Sequence, residues 1–308
     1  MYISEQEVRS VLTYEALIPA IRQALIDYSA GLVNQPPRSV LRAGNAEGPR
    51  NGWFAVMPVV AGDMMAVKTV TFFPGNAELG LHTHMAVVEL LRRATGEPLA
   101  IMDGRLITEM RTAAVSAVAF AALAPAQAAS FGILGSGVQA RAHIQALKQV
   151  WPGMREIRVW SRNPAHAEKL AAETGARAVA IEEAAAADVI LTATASPEPV
   201  LRGRWLSTHS LVLAVGATGA SLRELDDEAM LNSYVVAESR ECVEREAGDV
   251  LLSGARVQAE IGQILADSTA GSLAFPRDRH IVFKSVGMAI EDLTAARLVW
   301  QARQSSPK

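Results

Sequence analysis

Ser130-Phe131-Gly132-Ile133-Leu134-Gly135-Ser136-Gly137-Val138-Gln139-Ala140 is the stretch whose reading decides the fold. An apolar run, Phe131 to Leu134, enters a G-x-G-x-x-A turn, and a helical pattern follows from Val138 to Val150. Glycines in such a turn allow a tight bend and close backbone approach to a pyrophosphate, which the free N–H groups of the helix N-terminus stabilise. A further strand pattern, Ile157 to Trp160, and a further helix, Pro164 to Glu173, complete the unit, so the spacing predicts a dinucleotide-binding turn formed by Gly135, Ser136, Gly137, Val138 and Gln139.

The second strand ends at Trp160-Ser161-Arg162-Asn163, where an NAD-binding fold usually carries an acid for the ribose hydroxyls. No acid stands there. Arg162 can pair with a 2′-phosphate, with Ser161 and Asn163 as further donors, which predicts NADPH in preference to NADH. The plainer alternative is a surface arginine beside an Asn163 cap, with Pro164 at the first helical position.

Working outward, the alternation continues through Asp188 to Thr194, Leu211 to Val215, Tyr234 to Ala237 and His280 to Lys284, before a long helix from Gly287 to Gln304 with Met288, Leu293, Ala296, Leu298 and Val299 as apolar positions. Apolar strands alternating with helices predict a doubly wound parallel sheet, an α/β fold of the Rossmann kind. The first third differs. Ser4 and Glu7 are spaced as a capping box, residues 1 to about 35 read as helical with Gly31 as the stop, and four short strands follow at Trp53 to Met57, Ala66 to Val70, Met85 to Leu91 and Leu99 to Met102. That part is α+β.

At 308 residues the chain has room for two domains. Its 29 basic and 32 acidic residues leave a net charge of −3, which argues against nucleic acid or an anionic membrane as partner. Cys242 is the only cysteine, so no intrachain disulfide or Cys-x-x-Cys site can form, and a cytoplasmic setting is expected. The N-terminus lacks the basic and apolar regions of a signal peptide. Thr112 to Ala140 holds 29 residues without a charge, yet its eleven alanines, Pro125, Gln127 and late glycines do not read as a membrane span.

Three cations stand against apolar or strand surroundings: Arg38 after Pro36-Pro37, Lys68 within Ala66-Val67-Lys68-Thr69-Val70, and Arg111 in Thr108-Glu109-Met110-Arg111-Thr112. With Thr108 as a helix cap, Arg111 falls in the first turn and helps form a site for a small carboxylate. His82-Thr83-His84 places two imidazoles on one face without an evident third ligand, so no metal is expected. Neither a G-x-S-x-G elbow nor a P-loop occurs.

Taken together, Met57-Pro58, Ala66-Val67-Lys68, Thr83-His84, Met102-Asp103-Gly104, Met110 to Ala117, Gly135 to Ala140, Arg223 to Asp227, Gly248-Asp249-Val250 and Lys284-Ser285-Val286-Gly287 resemble the ornithine cyclodeaminase and mu-crystallin family almost from end to end. The resemblance implies a substrate-binding and dimerisation domain from residues 1–113 and 288–308, a Rossmann domain over 114–287, and a homodimer. It implies that Arg38, Lys68 and Arg111 hold a substrate carboxylate, that Thr112 touches the cofactor phosphates, and that Lys284 belongs with the cofactor residues. Cyclodeaminases of the family carry a glutamate where Ala55 stands and an aspartate where Thr218 stands. Without them a δ-amino group lacks a counter-charge and a base.

The resemblance therefore points to the reductase branch: NADPH-dependent reduction of a cyclic imine with an α-carboxylate, such as 1-pyrroline-2-carboxylate or 1-piperideine-2-carboxylate, to L-proline or L-pipecolate. Lys68 would polarise the imine or relay a proton. The competing readings are an amino-acid dehydrogenase of the alanine dehydrogenase kind, a cyclodeaminase-type lyase, and a cofactor-dependent small-ligand binder.

Overall fold

The structure, a computed structural model, describes residues 1–44, 51–267, 276 and 278–305. It divides into two compact units, Met1–Arg111 with Met288–Lys308, and Thr112–Gly287. The first boundary falls two residues before the one expected after Ala113, and residues 306–308 of the expected second segment lie outside the described residues.

The first unit opens with β1 (Tyr2–Ile3), α1 (Glu5–Val11), α2 (Tyr14–Ser29), β2 (Val33–Asn34) and β3 (Ser39–Ala43). It continues with β4 (Gly52–Ala61), β5 (Met64–Phe72), β6 (His84–Arg92), β7 (Pro98–Asp103) and the start of α3 (Arg105–Leu123). The capping box is present: the Ser4 amide donates to Glu7 Oε2 at 2.9 Å, and the Ser4 hydroxyl accepts from the Glu7 amide at 3.4 Å. The helical stretch expected to run to residue 35 is broken at Thr13, whose hydroxyl accepts from the Ala16 amide and starts a second helix.

The sheet has the order β1-β7-β6-β5-β4-β2, with β3 on β4, and is antiparallel except where β1 meets β7. Strand alternation turns Ala55, Met57 and Val59 of β4 and Met64, Ala66, Lys68 and Val70 of β5 to the buried face. There they meet the C-terminal helix α11 (Ala289–Ser305), against which α2 packs in turn. Leu17, Ile21 and Leu25 of α2 and Leu293, Ala296 and Val299 of α11 are buried. Each large aliphatic side chain so buried contributes roughly 1.5–3 kcal/mol. Leu298, expected on this face, is only half-buried.

Helix α3 begins earlier than expected. Asp103 Oδ1 accepts from the Arg105 amide at 3.0 Å, and the Thr108 amide is already bonded to the Gly104 carbonyl at 2.9 Å. Thr108 is therefore an interior helical residue rather than a cap. Arg111 lies in the second turn, and no free amides flank it. By length and hydropathy α3 is apolar enough to cross a membrane, but 72% of its apolar stretch is buried inside the fold, as in a core helix.

In the second unit come β8 (Ser130–Leu134), α4 (Val138–Val150), β9 (Glu156–Trp160), α5 (Pro164–Thr174), β10 (Arg177–Ala178), α6 (Ile181–Ala185) and β11 (Val189–Thr192). After them come β12 (Leu211–Ala214), α7 (Asp227–Leu231), β13 (Ser233–Ala237), α8 (Arg240–Glu246), α9 (Gly248–Ser253), β14 (Ala259–Glu260), α10 (Ile261–Asp267) and β15 (His280–Lys284). The eight strands are parallel, in the order β10-β9-β8-β11-β12-β15-β13-β14. This is the doubly wound sheet, and β11 and β12 are buried along their whole length. The strand order reverses between β8 and β11, and the carboxyl ends at such a switch point are where ligands bind in open α/β sheets.

Candidate active site

Lys68 is the centre of the first unit's chemistry. Its register neighbours on the buried face are Met57 of β4 and Val88 of β6, so an ammonium stands in an apolar row at 2% exposure. Two acids that the sequence reading passed over meet it from α11. Asp292 Oδ2 lies 2.7 Å from Lys68 Nζ, and Asp292 Oδ1 lies 3.2 Å from Arg111 Nε. Glu291 Oε2 accepts from Arg111 Nη1 at 2.5 Å. Glu291 and Asp292 are at most 1% exposed. The available signal was two adjacent acids inside an otherwise apolar run, Met288 to Leu293, where uncompensated charge would be costly.

The first turn of α11 is held in place by Gln35, whose Oε1 accepts from the Ile290 amide at 2.8 Å. That bond ties the segment bearing Arg38 to the helix bearing the two acids. Arg38, partly exposed, lies close enough to repel the Lys68 ammonium. Desolvation lowers the Lys68 pKa to about 8; Asp292 opposes the fall, while Arg111 and Arg38 add to it. His84 packs against Phe72, with ring centroids 4.5 Å apart, while much of the residue stays exposed to solvent. Desolvation, then repulsion from Lys68, pushes its pKa down to about 4, so the imidazole is neutral near pH 7. The structure thus gathers Arg38, Lys68 and Arg111 around one locus, with two carboxylates behind the latter two. Among the described residues no three His, Cys, Asp or Glu side chains gather as a metal-binding set, His82 and His84 included.

The second unit carries the glycine turn at its switch point. Gly135 has φ +125°, and a Cβ there would stand 2.6 Å from the Ala193 carbonyl oxygen at the end of β11. Only glycine fits. A Cβ on Gly137, the N-cap of α4, would meet nothing within 4 Å, so the helix N-terminus faces open space in which a pyrophosphate can lie against the backbone. The hydroxyls of Ser136 and Ser161 are 2.9 Å apart, bringing the turn and the end of β9 together.

Arg162 is exposed and forms no ion pair with any described residue. Asn163 is the helix cap of the plainer reading: its Oδ1 accepts from the Ala165 amide at 3.1 Å, ahead of Pro164. Its side-chain amide remains a donor. Thr112 is buried within α3.

Lys284, expected among the cofactor residues, is held by groups of its own unit. It is fully buried, paired with Asp249 Oδ2 at 2.8 Å and donating to the Ala217 carbonyl at 2.8 Å. Asp249 Oδ1 in turn accepts from the Glu224 and Leu225 amides at 2.6 and 2.9 Å. Glu224 accepts from Thr192 and Thr194 hydroxyls and from the amides of Thr194, Gly216 and Ala217. Burial, the largest influence, raises its pKa. Glu238 accepts from the Ser285 hydroxyl and the Val286 and Gly287 amides. Three buried carboxylates therefore pin the loops leaving β11, β12 and β15, and Lys284 compensates one of them. Each pin saturates backbone donors that would otherwise be orphaned at the carboxyl edge of the sheet.

His143 makes a comparable link. Its Nδ1 donates to the Gln139 carbonyl and its Nε2 accepts from the Ser116 hydroxyl, both at 2.8 Å, since the carbonyl can only accept. The first turn of α4 is thereby tied to α3.

Residues 1–306 match the Ornithine cyclodeaminase/mu-crystallin family. The chain belongs to that family. Among family relatives, the ketimine reductase mu-crystallin of Mus musculus is 38% identical over 314 residues, covering 99% of this chain and 97% of that protein. The Δ1-pyrroline-2-carboxylate/Δ1-piperideine-2-carboxylate reductase of Azospirillum brasilense is 35% identical over 298 residues, covering 94% and 92%. A solved structure of Thermococcus litoralis Δ1-pyrroline-2-carboxylate reductase, in complex with NADH and L-proline, superposes with a TM-score of 0.90 at 30% identity, covering 99% of this chain and 97% of that one.

Proposed function

We propose that this chain is an NADPH-dependent reductase of cyclic imines bearing an α-carboxylate, forming L-proline from 1-pyrroline-2-carboxylate and L-pipecolate from 1-piperideine-2-carboxylate. The observation that carries the reading is the cationic locus of Arg38, Lys68 and Arg111, in a family whose relatives above are named as reductases of such imines. Arg38 and Arg111 orient the carboxylate, which supplies the proximity term. Lys68 donates a proton to the imine nitrogen. NADPH, when bound, supplies the hydride. Gly135 to Gln139 hold its pyrophosphate, and Ser161, Arg162 and Asn163 its 2′-phosphate. A guanidinium that no described residue pairs with, at a strand end without an acid, favours the phosphorylated cofactor.

Ala55 supports reduction over cyclodeamination. It lies fully buried on the same strand face as Met57, opposite Val70, where the family's glutamate would sit. The outer face of the first sheet presents Tyr2, Met85, Val87 and Ile101 to solvent, an apolar surface that suits a second copy of the chain, so we propose a homodimer built on it.

The test is steady-state NADPH oxidation with both imines, together with ammonia release from L-ornithine. Imine-dependent oxidation without ornithine-dependent ammonia is expected. NAD-dependent ammonia production from ornithine alone would restore the lyase reading, and no oxidation with either imine would overturn the reductase. Arg162→Ala should narrow the NADPH preference, reflecting a contact of roughly 1.5–3 kcal/mol; equal affinities in the unaltered protein would remove the NADPH assignment.

A further inference from the structure

We propose that Asp292 is a positioning residue for reduction: its carboxylate, 2.7 Å from the Lys68 ammonium, keeps that lysine protonated and aimed, so that Lys68 can serve as the proton donor. The inference rests on the imine-reductase reading above and assigns the acid behind its proton source.

The groups facing Lys68 come from four elements. Arg111 on α3 and Arg38 ahead of β3 are cations, His84 on β6 is neutral near pH 7, and the neighbouring positions Met57 and Val88 are apolar. Every one of them, and burial itself, disfavours an ammonium or leaves it unsupported. Among the described residues, Asp292 is the group facing Lys68 that stabilises its charge. Its two oxygens have no polar partners among the described residues other than Lys68 and Arg111, so the carboxylate is committed to this role. Glu291, its neighbour, engages Arg111.

The consequence for the reaction can be balanced. Hydride adds to the imine carbon with its electron pair, the C=N π bond breaks, and the nitrogen takes the proton that leaves Lys68 Nζ. The reduced nicotinamide becomes oxidised, Lys68 becomes a neutral amine, and solvent returns its proton. A lysine whose pKa is about 8 is mostly charged at neutral pH and gives the proton up readily; without the carboxylate its pKa would be lower and less of it would be charged when substrate arrived.

The experiment is the pH dependence of kcat/KM for 1-piperideine-2-carboxylate with NADPH in the unaltered protein, Asp292→Asn and Asp292→Glu. The substrate's own ionisation is common to all three, so only the difference is read. Asp292→Asn should move the alkaline limb down by about one pH unit or more and lower kcat/KM at neutral pH about twofold or more, with NADPH affinity unchanged. Asp292→Glu should restore most of the limb. A limb that stays in place while the rate falls would show Asp292 to be merely structural and overturn the proposal.

Lys68, Lys148, Lys169, Lys284 and Lys308 are the chain's only lysines, so the Lys68 Cε resonance can be followed in ¹³C-lysine-labelled protein and assigned with Lys68→Met. If neither imine is reduced, the reductase reading fails, and this titration alone decides the Asp292 proposal: a lowered Lys68 midpoint in Asp292→Asn supports it, an unchanged one overturns it. Should Asp292→Asn not fold, Asp292→Ser is used, and added formate should restore the midpoint; no recovery would count against the proposal.

Discussion

Lys68 illustrates how far a single residue can be read before its neighbours are known. An idle ammonium on an apolar strand costs desolvation energy, and the structure buries this one. Its partner was not legible, because Asp292 lies 224 residues later and only the packing of α11 on β5 brings them together. That partner changes what substitutions should do. Lys68→Met should lower kcat by about 10²–10⁴-fold, and it should also destabilise the fold, because it strips a buried carboxylate of its nearest cation; losing one member of a buried pair costs about 3–5 kcal/mol. Arg111→Met should raise KM for the imine and strand Glu291 in the same way. Kinetics on the folded fraction, beside a denaturation curve and NADPH affinity, separate the two effects, and near-normal turnover in Lys68→Met would leave the substrate's own acidity as the proton source.

His143 gives a second prediction at this scale. Burial lowers its pKa to about 4 against an unfolded value near 6.5, so between those limits the unfolded chain binds the extra proton and stability rises with pH. The contribution is full above pH 6.5 and is lost as pH falls towards 4, on the order of 3 kcal/mol in all. Urea unfolding across that window should be steeply pH-dependent, and His143→Gln should flatten the slope while lowering stability at pH 7. An unchanged slope would exclude His143 as its source.

Among the elements, α4 and β15 have the bounds expected from pattern alone, because glycine and apolar-run signals mark their ends locally. Helix α3 does not. Thr108 and Asp103 are both cap residues by type, and only the structure shows that the Asp103 carboxylate wins the Arg105 amide. The β8–α4 turn makes a sharper prediction. Gly135→Ala should destabilise the second unit, since its Cβ meets the Ala193 carbonyl and the backbone is left-handed. Gly137→Ala should leave the melting temperature nearly unchanged yet weaken NADPH binding about tenfold or more, because its Cβ enters the space open to the pyrophosphate. Equal loss of stability in both would refute the distinction.

For the molecule as a whole, the first sheet is buried on one face and apolar on the other, an arrangement that two-sided strand patterns only hint at. Val87→Glu with Ile101→Glu places charge on that outer face without touching the locus of Lys68. Sedimentation should show a dimer converted to monomer; a monomeric unaltered protein would discard the proposed interface.

By itself the sequence determined the doubly wound sheet, the glycine turn, the three cations and the family, since each is written in local spacing or in short contiguous motifs. Only the tertiary structure decided that Lys284 is an internal counter-ion of Asp249, that Glu224 and Glu238 pin the sheet's carboxyl edge, and that Glu291 and Asp292 back Arg111 and Lys68. The physical reason is the same in each case. A buried charge is tolerated only with a partner, and that partner is chosen by folding rather than by nearness in sequence.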